Sequence, residues 1–162
     1  MEEEGVEKKI VFSGDIGNKN KPLIKNPSYI DEADYVVMEC TYGDRTHDRT
    51  HEHIEELAQI LQETLDRGGN LVIPAFAVGR TQEILYLMRK IKEEKLIKGH
   101  DDFEVYVDSP LAVEATQVFT KNIMECYDEE AMDLVNRGIN PSASQVLSFP
   151  SPARIPKTST LI

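Results

Sequence analysis

Cysteine is scarce in this sequence: Cys40 and Cys126 are the only two in 162 residues. They lie far apart, each in an apolar or helical context. A disulfide framework is out of reach, and the expectation is two buried, reduced thiols of a cytosolic protein rather than one bridge. No run approaches the roughly 18 consecutive apolar residues of a membrane span, so no membrane role is expected. The acidic start, Met1-Glu2-Glu3-Glu4, has the wrong charge for a secretory signal peptide. Basic residues are outnumbered, 18 Lys and Arg against 29 Asp and Glu, for a formal net charge of −11. That argues against a broad basic surface for nucleic acid. It leaves room for an enzyme that grips phosphate through metal ions and a few local donors. No Gly-x4-Gly-Lys-Ser/Thr occurs, which excludes a P-loop, and the dinucleotide fingerprint is absent as well.

What is present alternates. Lys9–Ser13 reads as a short strand ending at Gly14-Asp15-Ile16-Gly17, and a polar loop follows to about Asp31. Tyr35-Val36-Val37-Met38-Glu39 is apolar until its last residue, so a strand buried on both faces is expected. From Asp48 to Asp66, Ile54, Leu57, Ala58, Leu61 and Leu65 recur at helical spacing, and Gly68-Gly69 stops that helix. Strand Asn70–Pro74, a turn through Ala77-Val78-Gly79 and a helix from Arg80 to Glu94 come next. Strand Phe103–Val107 then delivers Asp108-Ser109-Pro110, with Pro110 placed to begin a helix to about Met124, and Asp128–Asn136 forms another before Gly138. Strands alternating with helices of this length predict a doubly wound parallel α/β sheet. After Asp133 no acidic residue appears, and Pro150, Pro152 and Pro156 interrupt a Ser/Thr-rich stretch. Residues 141–162 are therefore expected to form an irregular tail outside the core, with Val146, Leu147 and Phe149 as its apolar exceptions.

In a parallel sheet the strand-to-helix turns gather along one edge, where such sheets bind ligands. Asp15, Glu39, Arg80 and Asp108-Ser109 all occupy such turns. A carboxylate between glycines, as in Gly14-Asp15-Ile16-Gly17, is open to a Zn²⁺ or Mn²⁺ ion or to general-base work, although spacing alone favours a plain turn cap. The Gly79-Arg80-Thr81 turn is expected to offer free N–H groups and a guanidinium to a phosphodiester oxygen. Arg80 as a salt-bridging helix-start residue is the plainer alternative. Ser109 suits a phosphate contact or, as commonly, an N-cap.

These segments have a family likeness. Phe12-Ser13-Gly14-Asp15-Ile16-Gly17 resembles the fourth metal-binding motif of metallo-β-lactamase-fold hydrolases. Glu39-Cys40-Thr41-Tyr42-Gly43-Asp44-Arg45 resembles the acidic motif A of their β-CASP branch. The run from Gly68 through Pro74-Ala75-Phe76-Ala77-Val78-Gly79-Arg80-Thr81-Gln82-Glu83 is similar to the start of the β-CASP insert, and Val107-Asp108-Ser109-Pro110-Leu111-Ala112 fits it further on. Order and spacing agree from about Ile10 to Asn140. The resemblance implies a metal-dependent phosphodiesterase that cuts single-stranded RNA with metal-activated water, held by two Zn²⁺ ions. It makes Asp15 a bridging metal ligand and catalytic residue, and Glu39 an acid–base or histidine-orienting group. Arg80, Thr81 and Ser109 would contact substrate.

The departures are as informative. The family's His-x-His-x-Asp-His motif is absent, as is its separate metal-ligand histidine. His47, His51 and His53 read as solvated helix-start residues rather than replacements. The expected fold is thus part of a metallo-β-lactamase fold joined to a doubly wound β-CASP domain, incomplete at both ends. Residues 1–43 would end the first lactamase segment, 44–140 would form a partial β-CASP domain and 141–162 the tail. Such a piece, truncated or frameshifted, is expected to be cytoplasmic, to lose the zinc ions and to be inactive alone, with a homodimer left open. A non-catalytic α/β module binding a nucleotide or a protein is the rival reading.

Overall fold

A computed structural model describes residues 2–3, 5–45, 53–141, 146–148 and 159–162. They fall into two compact units, one of residues 1–21 and 25–49, the other of residues 22–24 and 50–162.

The first unit contains two small ribbons. Strands β1 (Glu2–Glu3) and β2 (Val6–Glu7) pair antiparallel, and β3 (Ile10–Phe12) pairs parallel with β4 (Tyr35–Val37), setting Phe12 opposite Val37. Asp34 clamps the start of the parallel pair. Its carboxylate takes the Lys8 ammonium at 2.8 Å and the Lys9 N–H at 2.9 Å, and these contacts hold its pKa below the usual carboxylate range. The expectation that Tyr35–Glu39 is buried on both faces fails: Tyr35, Val36, Val37 and Met38 are all exposed. A two-stranded ribbon has no packed layer over either face, so an apolar run alone does not secure burial. Cys40 is likewise exposed rather than buried; both cysteines are free.

The second unit is a four-stranded sheet with helices. In chain order its elements are α1 (His53–Asp66), β5 (Leu71–Val72), α2 (Arg80–Glu93), β6 (Glu104–Val107), α3 (Pro110–Lys121), α4 (Ile123–Cys126), α5 (Glu129–Asn136), β7 (Val146–Ser148) and β8 (Ser159–Leu161). The strands run β5-β8-β6-β7 across the sheet, and every pairing is parallel. The apolar spacing of α1 places Ala58, Leu61 and Leu65 in the core, where they meet Ile84, Leu85, Met88 and Ile91 of α2 and Val105 and Val107 of β6. The helix stops where Gly68 and Gly69 return N–H bonds to Leu65 and Thr64. A second cluster gathers Tyr86, Tyr127, Ala131 and Leu134 around Leu23, and the Asp128 N–H donates to the Leu23 carbonyl at 3.2 Å. Tyr86 donates to Glu130 at 2.5 Å, and burial first, then that carboxylate, pushes its phenol up.

At its described residues, the stretch expected to be an irregular tail outside the core is ordered instead. Pro141 is buried, β7 extends the sheet beside β6, and β8 lies between β5 and β6 with Ser159 and Thr160 fully inside. A strand flanked on both sides has its backbone groups satisfied by the ladders, so Ser-Thr-Leu needs no apolar alternation to occupy the middle of a sheet. Residues 142–145 and 149–158, with the prolines that suggested irregularity, lie outside the described residues.

Candidate functional site

In the first unit, β3 and β4 are parallel and in register, so both leave the ribbon at the same end. Asp15 and Glu39 follow those ends. Ser13 joins the two exits: its N–H donates to the Val37 carbonyl at 2.9 Å, and its Oγ accepts from the Glu39 N–H at 3.1 Å while donating to the Gly14 carbonyl at 2.7 Å. Gly14, with φ +56°, takes the left-handed turn that a side chain would resist just before Asp15. Asp15 is exposed, and its carboxylate makes no hydrogen bond to a described residue. Glu39 is exposed too, but oriented: Oε2 accepts from the Thr41 N–H at 3.0 Å. That backbone bond, aided by the Thr41 side chain, holds its carboxyl below the usual range, so it is a fixed anion at neutral pH.

The residues do not amount to a metal centre. Among the described residues no three His, Cys, Asp or Glu side chains gather closely enough to hold an ion. One carboxylate offers a single anchor where zinc asks for about four ligands, so the two-zinc arrangement does not fit these residues. His47 and His51 lie outside the described residues; His53 opens α1.

The second unit holds Arg80, Thr81 and Ser109, each after a strand of the same parallel sheet. The turn before α2 differs from the expected anion cradle. Gly79 adopts φ +84°, open to glycine at little cost, but its N–H goes to Gln82 Oε1 at 2.7 Å. The Arg80 N–H goes to the Val78 carbonyl and the Thr81 N–H to the Phe76 carbonyl. These donors are therefore not free, because the 76–79 turn folds under the helix and takes them. Thr81 is buried, and its hydroxyl donates to Phe76 at 2.8 Å. Arg80 keeps a half-exposed guanidinium, paired with Glu83 Oε2 at 3.0 Å in the plainer role foreseen for it. Ser109 acts as N-cap of α3, its Oγ accepting from the Ala112 N–H at 3.2 Å.

Asp15 and Glu39 thus stand together in one unit, and Arg80, Thr81 and Ser109 belong to the other. The sequence reading missed Gln82, which is wholly buried at the root of the Arg80 turn. Its amide oxygen accepts from the Gly79 N–H, one half of a capping box, but with glycine rather than Ser or Thr at the cap the sequence carried no clear signal.

Comparison with known proteins points to one family. Residues 81–158 match the Beta-Casp domain. The chain is 36% identical over 140 residues, 85% of its length, to Ribonuclease TTHA0252 of Thermus thermophilus, covering 31% of that protein. It is 34% identical to an RNase J-like protein of Methanocaldococcus jannaschii over 83% of its length, again 31% of the relative. Endoribonuclease YSH1 of Yarrowia lipolytica is 29% identical over 82% of the chain and is covered for 16%. The chain therefore spans about a third or less of these relatives.

Proposed function

The chain belongs to the β-CASP family of RNA-processing proteins, and from that premise we propose that it is part of a metal-dependent phosphodiesterase acting on single-stranded RNA. One observation supports this reading most. Asp15 and Glu39 follow the same end of a parallel strand pair, with their loops stapled by Ser13. Residues 1–43 then close a metallo-β-lactamase segment, and the rest of the chain is β-CASP domain. Asp15 is one metal-facing carboxylate of the whole enzyme, Glu39 a preset anion beside it, and Arg80 a cation for a phosphodiester oxygen. A zinc pair would supply activated water in the whole enzyme, but the described residues lack the ligands for it.

The same shortage favours the second reading, a non-catalytic α/β binding module, for the chain by itself. A nuclease and metal-content assay separates the possibilities, run on this chain beside a full-length relative with labelled single-stranded RNA. This chain is expected to bind the RNA in preference to duplex DNA, to release no cleavage products and to retain no stoichiometric zinc. Tight zinc at one ion or more per chain, or cleavage that Asp15→Ala abolishes, would reject inactivity alone. No preference for RNA would reject the substrate.

A further inference from the structure

Gln82 is a polar side chain in an apolar place. It sits in the first turn of α2 with no exposed surface, among residues whose neighbours Ile84 and Leu85 belong to the core. An amide removed from water must find partners for both its oxygen and its nitrogen, or its burial destabilises the fold. Oε1 accepts from the Gly79 N–H at 2.7 Å. Nε2 reaches the Ala77 carbonyl at 3.1 Å, Thr116 Oγ1 at 3.0 Å and the Ala112 carbonyl at 3.4 Å. The Thr116 hydroxyl donates to Ala112 at 2.8 Å, which turns a lone pair toward Gln82. With an N–H on one side and carbonyls on the other, only one orientation of the amide satisfies the site.

Its partners come from two separate connections. Ala77 and Gly79 lie in the turn after β5; Ala112 and Thr116 lie in the opening turns of α3, after β6. Capping α2 requires only the Gly79 arm. The nitrogen arm reaches α3, and a leucine there would fill the space without making that link. The turn gains from such a link, because its larger apolar side chains do not anchor it: Ala77 packs against the core, but Phe76 is 85% and Val78 62% exposed.

We propose that Gln82 is a positioning residue, fixing the 76–80 turn and hence Arg80 against the start of α3, where Ser109 stands. The two connections then present one preset surface to an RNA phosphate, a role that rests on the reading of Arg80 as a substrate contact.

The test uses the whole chain with Gln82→Leu, Gln82→Glu and Thr116→Val, read by amide exchange and by single-stranded RNA binding. In Gln82→Leu the Gly79 amide should lose about tenfold protection or more, while amides of residues 84–87 keep theirs, and RNA affinity should fall about three- to tenfold. In Gln82→Glu the oxygen arm remains, but a carboxylate faces the Ala77 and Ala112 carbonyls. Burial raises its pKa, so protonation restores a donor, and its affinity deficit relative to the unsubstituted chain should narrow between about pH 8 and about pH 5.5. Thr116→Val keeps both loops folded and should show a smaller change in the same direction, which decides the matter if Gln82→Leu does not fold. Protection lost evenly along α2 would reduce Gln82 to a helix stabiliser and overturn the proposal. So would a localised loss with RNA affinity unchanged, or a pH-independent deficit in Gln82→Glu. If the unsubstituted chain binds no RNA, the functional reading fails at that step. The exchange data then still accept or reject the mechanical link.

Discussion

Asp66, the last residue of α1, accepts from Gln62 and meets His100 Nε2, each at 2.9 Å. Gln62 in turn exchanges two hydrogen bonds with the Lys98 backbone, so this end of the helix is tied to the 98–100 turn. His100 first, then Gln62, holds the Asp66 carboxyl below its ordinary 3.8. A value lower in the folded chain than in the unfolded one means stability present at neutral pH and lost as pH falls through that lowered value. Asp66→Asn should therefore lower the melting temperature at pH 7, with the gap to the unsubstituted chain closing in strong acid; a gap independent of pH would reject the linkage. None of this could be read in advance, since Gln62, Asp66 and His100 look like ordinary surface residues in sequence. Asp15 and Glu39 were legible because each ends an apolar run and is followed by turn residues, a local signal. Gln82 was not, because its partners at positions 112 and 116 are distant in sequence and a polar residue in a first helical turn normally faces water.

Among the described residues, helices were read nearly to their ends because each carries its own evidence. The expected start of the first at Asp48 lies outside the described residues, and the helix expected to reach Met124 stops at Lys121, with α4 after it. The Leu and Ile spacing in α1 and α2, Pro110 opening α3 and Asp128 capping α5 are all local, and Asp128 does accept from the Ala131 N–H at 2.8 Å. The short strand β8 carries no such evidence. Its three residues, Ser159-Thr160-Leu161, show no alternation, and its place in the sheet is set by partners at 71–72 and 104–106. A central parallel strand is held by ladders on both sides, so its loss should matter far more than its length suggests. Thr160→Pro removes one ladder N–H and collides with close-packed neighbours, and we expect it to abolish or severely broaden the cooperative thermal transition of the second unit. Thr160→Val, which keeps the ladder N–H and the β-branched shape, serves as the control. A melt unchanged by Thr160→Pro would return residues 159–161 to the status of a loose tail.

The chain as a whole is mixed α/β with parallel strands in both units, which the alternation of strand and helix patterns had indicated. How residues divide between the units was less legible, because residues 22–24 leave their sequence neighbours to pack with the second unit, and no composition change marks the exit. Net charge acts at this scale too. With −11 overall, any RNA contact must be local and work against long-range repulsion. If Arg80 supplies it, about one or two phosphates are neutralised, and the logarithm of affinity should fall with the logarithm of salt at a slope shallower than about −2. A steep slope, as basic nucleic-acid binders give, would show that RNA uses another surface. The strand order β5-β8-β6-β7 has a kinetic consequence as well. As the chain is synthesised, β5 and β6 exist long before β8, and neither can pair with the other because a third strand belongs between them. Until it arrives, both expose edges that suit intermolecular pairing, and closure joins Leu71 to Thr160 across most of the chain. Such high contact order makes folding slow, and refolding yield should be limited by aggregation of a sheet still open at its centre.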